Sequence, residues 1–250
     1  GLIQWNLRPK DRISCITTSA ILLTLLPIIR YGRMAMLDGT QLSAIALLWF
    51  CLSSIKYNRV NKLNFLGAGF ACSFLLLLKA PVIIPALVAP LIPLVLEYRS
   101  KRYLKNLSWL WFLCGLIPGF AWHLWNVFSY GGGAFWMWWG DGAGRVLFEK
   151  GSGSELTVLV PIIEILEGGW PWILVWPIGL LWACFRLNSR WGVWALSTQI
   201  VIALSIFPLK MQLPWYIHPF WLPFALLCAP PVSWLINKKE NDYVVERKVL

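Results

Sequence analysis

Four short clusters of charged and aromatic residues, each embedded in apolar sequence, hold the groups able to do chemistry. The segment Arg30-Tyr-Gly-Arg33-Met-Ala-Met-Leu-Asp38 brings two guanidiniums and a carboxylate together. Guanidiniums bind phosphate through paired, charge-assisted hydrogen bonds, and a carboxylate can hold a sugar hydroxyl or a metal–phosphate group. The same residues also suit arginines snorkelling at a membrane edge and an Asp38 N-cap for the following helix. Lys79, in Leu-Leu-Lys-Ala-Pro-Val, is a lone ammonium between apolar stretches. It must reach headgroups or a partner, so phosphate contact and snorkelling both fit. Asp141-Gly-Ala-Gly-Arg145 offers glycines that permit close backbone approach to a ligand. It lacks a preceding strand and the full dinucleotide spacing, so it is either a ligand-contacting loop or a plain one. Lys210-Met-Gln-Leu-Pro-Trp-Tyr216-Ile-His218-Pro supplies a cation, an amide and aromatic rings, a combination that an aromatic belt with a snorkelling lysine also explains. Neither His218 nor His123 has a Ser or Cys partner that suggests a hydrolase triad, and both read as packing residues.

The elements that must position these clusters are apolar throughout. Of 250 residues 58% are hydrophobic and 13% charged, against about 25% charged in a soluble domain. Too little polar surface remains to cover a water-soluble globule, which places the chain in the membrane class. The 18 tryptophans agree, because indole favours the boundary between hydrocarbon and water. Eight apolar runs bounded by charge predict an all-α, polytopic transmembrane bundle: 13–29, 40–55, 63–78, 80–96, 107–128, 169–185, 191–209 and 214–236. The stretch 63–96 reads as two helices with a tight turn at Lys79. One helix of that length would measure about 51 Å against a hydrocarbon core of roughly 30 Å, and Pro81 and Pro85 oppose continuity. The six cysteines all fall within apolar runs without C-x-x-C spacing and read as small buried hydrophobes, with neither disulfide nor zinc implied.

Charge tests the span count. Assigning alternate loops to one side gathers sixteen Lys and Arg there, among them Arg8, Lys10, Arg12, Lys56, Arg59, Lys62, Arg99, Lys101, Arg102, Lys105, Arg186, Arg190 and the four in the tail. Six remain opposite: Arg30, Arg33, Lys79, Arg145, Lys150 and Lys210. This positive-inside asymmetry predicts cytoplasmic termini and an outer face carrying all four clusters. The formal charge of +11 is thus spent on orientation, and nucleic acid is not an expected partner. The outer loop 129–168, rich in Trp, predicts an interfacial amphipathic loop or helix. Residues 1–237 form the membrane domain and 238–250 a charged cytoplasmic tail.

Arg33-Met-Ala-Met-Leu-Asp38, then Lys79-Ala-Pro, then Gly144-Arg145-Val-Leu-Phe after a Trp-rich loop, then Lys210-x-x-Leu-Pro-Trp-Tyr216-x-x-Pro, follow one another in an order that resembles the GT-C glycosyltransferases. The nearest branches are the protein O-mannosyltransferases of family 39 and the bacterial aminoarabinose transferases of lipid A, matched from about Arg12 to Pro230. The resemblance implies a polyprenyl-phosphate-sugar donor, transfer on the non-cytoplasmic face of a bacterial inner or plasma membrane, and Arg33, Asp38, Lys79, Arg145, Lys210 and Tyr216 as substrate-binding residues. It is compatible with a divalent metal ion. Ala80 replaces the family's usual Gly, and the His that usually precedes Arg145 is absent, with Asp141 near that place. The family's catalytic Asp or Glu lies in a first outer loop, so the chain is expected to be an N-terminally truncated copy whose catalytic acid lies upstream. Two other classes stay open: a lipid or small-anion transporter, which calls for mid-membrane charges and repeated halves, and a non-catalytic membrane assembly subunit.

Overall fold

A computed structural model of the chain describes residues 1–34, 36–55, 61–99, 109–136, 139, 144–148 and 159–249, leaving aside the side chains of 98, 99, 135, 145, 146 and 238–249. The described residues are helical, with no strand among them. In order they form α1 (Leu2–Leu7), α2 (Arg12–Thr24), α3 (Leu26–Arg33), α4 (Leu37–Ser53), α5 (Lys62–Lys79), α6 (Ile83–Arg99), α7 (Trp109–Tyr130), α8 (Gly132–Trp136), α9 (Arg145–Phe148), α10 (Leu159–Gly168), α11 (Trp176–Phe185), α12 (Arg190–Ile206) and α13 (Trp221–Val249). Short 3-10 turns at Ala80–Val82, Trp172–Leu174 and Pro214–Phe220 join or introduce helices. Three apolar stretches, Lys62–Glu97, Trp109–Tyr130 and Pro214–Asn237, are long and apolar enough to cross a membrane, and there are five if the bent pairs α2–α3 and α10–α11 each count as one.

By length and composition Lys62–Glu97 is a single 36-residue stretch, yet its contacts show that it folds back. The backbone leaves helical geometry at Lys79 (φ −150°, ψ 83°) and turns through Ala80–Val82, with Pro81 at the first turn. Lys79 meets Asp38 at the start of α4. Further along, the Trp49 indole of α4 donates to the Ala86 carbonyl at 2.8 Å. At the far end of α4, Arg190 donates to both the Ile55 carbonyl and the Glu97 carboxylate. A straight continuation would carry Glu97 away from Ile55, so the chain turns back at Lys79 and α6 returns toward the Ile55 end of α4.

The same ties define two ends of the bundle. At the first, Arg190 joins Glu97, Ile55 and the Asn6 carbonyl, Asn6 donates to Ser53 and Ser54, and Ser233 of α13 donates to Asp11. At the second, Asp38, Lys79 and Tyr216 meet. Arg8, Lys62 and Arg190 stand at the first end and Arg30, Arg33 and Lys79 at the second.

Burial grades outward from α4 and the first half of α13. Trp49, Trp191, Trp194, Trp221, Phe220 and Phe224 are fully buried between them, whereas α7 leaves Leu113, Ile117, Phe120, Leu124 and Phe128 exposed along its length. A helix apolar on every side and packed on one side only suits a hydrocarbon environment. It docks on α5 through small residues: Gly115 against the backbone of Leu66 and Phe70, and Gly119 where a Cβ would come within 2.8 Å of the Ser73 carbonyl oxygen. The Gly-x-x-x-Gly spacing on α7 faces Gly69 and Ser73, and the Gly119 N–H donates to the Ser73 hydroxyl at 2.5 Å.

Expectations change for the loop 129–168, the first apolar run and two of the cysteines. The loop 129–168 contains the apolar helix α10, which meets the Trp172–Phe185 segment at 106°; its run Leu159–Gly168 is too short by itself to read as a crossing. The segment 13–29 is two helices bent by 55°, because Leu25 is extended and Pro27 opens α3. The tail beyond 237 continues as helical backbone of α13 to Val249. Of the cysteines, all free, Cys114 and Cys184 are exposed on outward faces rather than buried. The Trp-rich loop yields the short helix α8, while Trp138 and Asp141 lie outside the described residues.

Candidate functional site

The site is assembled from three distant parts of the chain at the end of the bundle where α4 begins. Asp38 lies in the first turn of α4, one residue beyond the start of the helix, and caps nothing. The N-cap expected of it falls to Met36, which has no side-chain cap bond. Its carboxylate turns instead to α5, where Lys79 Nζ donates to Asp38 Oδ1 at 2.5 Å. The carboxylate is 5% exposed and the lysine side chain 29% exposed. Helix α5 delivers the ammonium because the backbone breaks right after it, which frees Lys79 from a position deeper along a continuous helix.

The third part is the 3-10 turn before α13. There Lys79 Nζ stands 5.3 Å from the centroid of the Tyr216 ring, within cation–π range. The Tyr216 hydroxyl reaches Met211 Sδ at 4.0 Å. His218 is buried beside them; its Nδ1 is 3.0 Å from the Trp215 carbonyl oxygen, and its ring meets Tyr31 edge-on at 5.1 Å. His218 Nε2 finds no partner in good hydrogen-bond geometry, with the Pro27 carbonyl as its neighbour. Tyr31 also packs edge-on against Trp215 at 6.4 Å, so α3 and the turn before α13 are joined by aromatic contacts around the ion pair.

Three further cations of the quoted clusters are exposed. Arg33 closes α3 and Lys210 follows α12; both are exposed, and among the described residues neither forms an ion pair. Arg30 is exposed too, with its guanidinium 5.5 Å from the Tyr31 ring and in the field of Glu164 on α10. Arg145 opens α9, and its side chain lies outside the described residues. Of the six residues singled out for substrate binding, the structure brings Asp38, Lys79 and Tyr216 into direct contact and leaves Arg33 and Lys210 exposed, outside any ion pair among the described residues.

Chemically this is a fixed ammonium with a phenol ring on one side and a carboxylate on the other, and Arg33 and Lys210 are exposed cations outside any ion pair among the described residues. Such a set can receive an anion while the ion pair orients it. Among the described residues no three His, Cys, Asp or Glu side chains gather to hold a divalent ion, and the Asp38 oxygen nearest the site is taken by Lys79.

Tyr31 was the residue that sequence reasoning passed over; it lies inside a quoted cluster, and its only signal was adjacency to the charged positions. His218, read as a packing residue, is buried against it. The Arg190–Glu97 pair at the opposite end was invisible for a different reason: 93 residues separate its members, and each alone reads as a loop charge. No protein family, curated protein or solved structure matches the chain.

Proposed function

We propose that the chain belongs to a membrane glycosyltransferase that takes a sugar from a polyprenyl-phosphate-linked donor and passes it to a lipid, glycan or protein acceptor on the non-cytoplasmic face. On this reading the helices make eight crossings, both termini face the cytoplasm, and the Asp38 end is the outer one. The observation that carries the proposal is the meeting of Asp38, Lys79 and Tyr216, drawn from three separate segments of the chain, with Arg33 and Lys210 exposed and, among the described residues, outside any ion pair.

In the transfer step an acceptor hydroxyl attacks the anomeric carbon, the bond from that carbon to the phosphate oxygen breaks, and the polyprenyl phosphate leaves with the electron pair. Negative charge on the phosphate grows as the bond breaks, so cations placed beforehand stabilise the transition state more than the ground state. Arg33 and Lys210 serve as the phosphate contacts. Asp38 holds Lys79 in place through their ion pair, and Tyr216 sets the lysine's position through its ring face. No residue of this chain is assigned as the base that takes the acceptor's proton.

The test is sugar release from a polyprenyl-phosphate-sugar by the full-length protein in proteoliposomes, together with direct binding of the unglycosylated polyprenyl phosphate. Arg33→Ala and Lys210→Ala are expected to lower release by about a hundredfold and to weaken phosphate binding. Asp38→Asn and Arg145→Ala are expected to lower release as well. Unchanged turnover in all four removes the assignment. A transporter reading draws on one further observation, the sharply bent pairs α2–α3 and α10–α11, since interrupted helices form substrate sites in transporters. Sugar-independent movement of the lipid between leaflets, with no release, would select that reading.

A further inference from the structure

At the end of the bundle opposite the ion pair, an open-sided cavity of about 450 Å³ lies where α1, the start of α2 and α13 meet. Trp5, Lys10, Asp11, Arg12, Ile13 and Asn237 line it. We infer that this cavity binds the phosphate of an anionic lipid headgroup, independently of any sugar transfer at the other end.

Among the described residues the charge at the cavity is not self-cancelling. Asp11 is the one acid in the wall among them, and both its oxygens are already used. Oδ1 accepts from the Ser14 N–H at 2.9 Å and the Ser233 hydroxyl at 2.7 Å, and Oδ2 accepts from Arg8 at 2.9 Å. Arg8 therefore answers the charge of Asp11. Lys10 and Arg12 are both exposed, and among the described residues neither forms an ion pair. Two positive charges thus face an opening large enough for a small molecule, and the wall offers the amide of Asn237 as a further polar contact.

Depth selects a lipid over a soluble anion. Arg12 is the first residue of the apolar pair α2–α3, and Asn237 is the last of the apolar stretch Pro214–Asn237. The cavity mouth sits where both apolar segments end, at the level of headgroups. Trp5, 40% exposed, stands on α1 while Ile3, Gln4 and Leu7 of the same helix are buried. An indole at that level anchors to the interface and would lie along the glycerol and upper acyl region of a bound lipid. Basic pockets between membrane helices, with a phosphate held by two cations at the headgroup level, follow from the same electrostatics.

The experiment uses the purified full chain in neutral detergent and native mass spectrometry to follow bound lipid. Phosphatidylglycerol is expected to bind at least tenfold more tightly than phosphatidylcholine with the same acyl chains. Lys10→Ala/Arg12→Ala is expected to remove most of that preference. Lys62→Ala/Arg186→Ala, which deletes equal charge at the same end of the bundle, is expected to keep it. Thermal midpoints of both variants establish that they are folded, and if the first is not, Lys10→Gln/Arg12→Gln replaces it. Equal losses in the two double variants, or equal affinity for the two lipids, overturn the site. Inorganic phosphate that binds the lipid-free protein as tightly as phosphatidylglycerol overturns the lipid assignment.

Discussion

Asp38 and Lys79 are separated by 41 positions and joined by a single contact. The carboxylate has lost nearly all its water, so the ammonium is what makes its burial tolerable. Removing one member of such a pair leaves an uncompensated charge, which costs far more than the pair itself contributes. Lys79→Ala is therefore expected to destabilise the protein by about 3 kcal/mol, read as a lowered thermal midpoint in nanodiscs. The double variant Asp38→Ala/Lys79→Ala is expected to recover part of the loss, because no charge is then stranded. A midpoint for Lys79→Ala equal to that of the parent protein would show that the carboxylate finds water or another cation. Arg190 performs the comparable task at the other end. One guanidinium serves Glu97 at 2.8 Å and the Ile55 carbonyl at 3.0 Å, and the forked geometry allows both at once.

Among the helices, α5 and α7 depend most on what is missing. Gly115 and Gly119 bring the two backbones together so closely that Leu66, Phe70 and Ser73 occupy the space a side chain would need. In hydrocarbon, association rests on such packing and on hydrogen bonds, because lipid tails are as apolar as the side chains they replace. Gly115→Val is expected to push α7 off α5 and lower the thermal midpoint markedly, since the obstacle is backbone and cannot rotate away. Gly132→Ala, where nothing lies within 4 Å of the added carbon, is expected to leave it unchanged. Equal behaviour of the two variants would mean that α7 is held by its surrounding lipid rather than by α5. The broken elements answer to proline instead. Pro27 follows the extended Leu25, and Pro81 follows the break at Lys79, in each case where a continuous helix would have carried a functional side chain elsewhere.

For the molecule as a whole, the packing separates two sets of cations by the length of α4, about 25 Å at 1.5 Å per residue. Arg33, Lys79 and Lys210 belong to one set, and Arg8, Lys62 and Arg190 to the other. If the bundle crosses the bilayer eight times, single cysteines introduced at Arg33 and Lys210 in a cysteine-free background react with an impermeant thiol reagent from one side only. Cysteines at Lys62 and Arg186 react only from the other. Labelling of Arg33 and Lys210 from different sides would dissolve the shared face on which the proposed function stands.

Hydropathy in the sequence was enough to read an all-helical chain with helices apolar enough to cross a membrane, and a break at Lys79. Each of these follows from local composition: hydrocarbon demands internally satisfied backbone, and proline with a lone lysine interrupts it. Periodicity could not reveal that α10 is helical, because its apolar run is short and follows a loop with no boundary signal. Nor could it tell an N-cap from an ion pair at Asp38, since both suit a carboxylate at the start of a helix. That choice was made by tertiary structure alone. Only when α4 and α5 lie side by side does Lys79 come within reach, and a buried carboxylate takes the nearest full positive charge before it takes a backbone N–H.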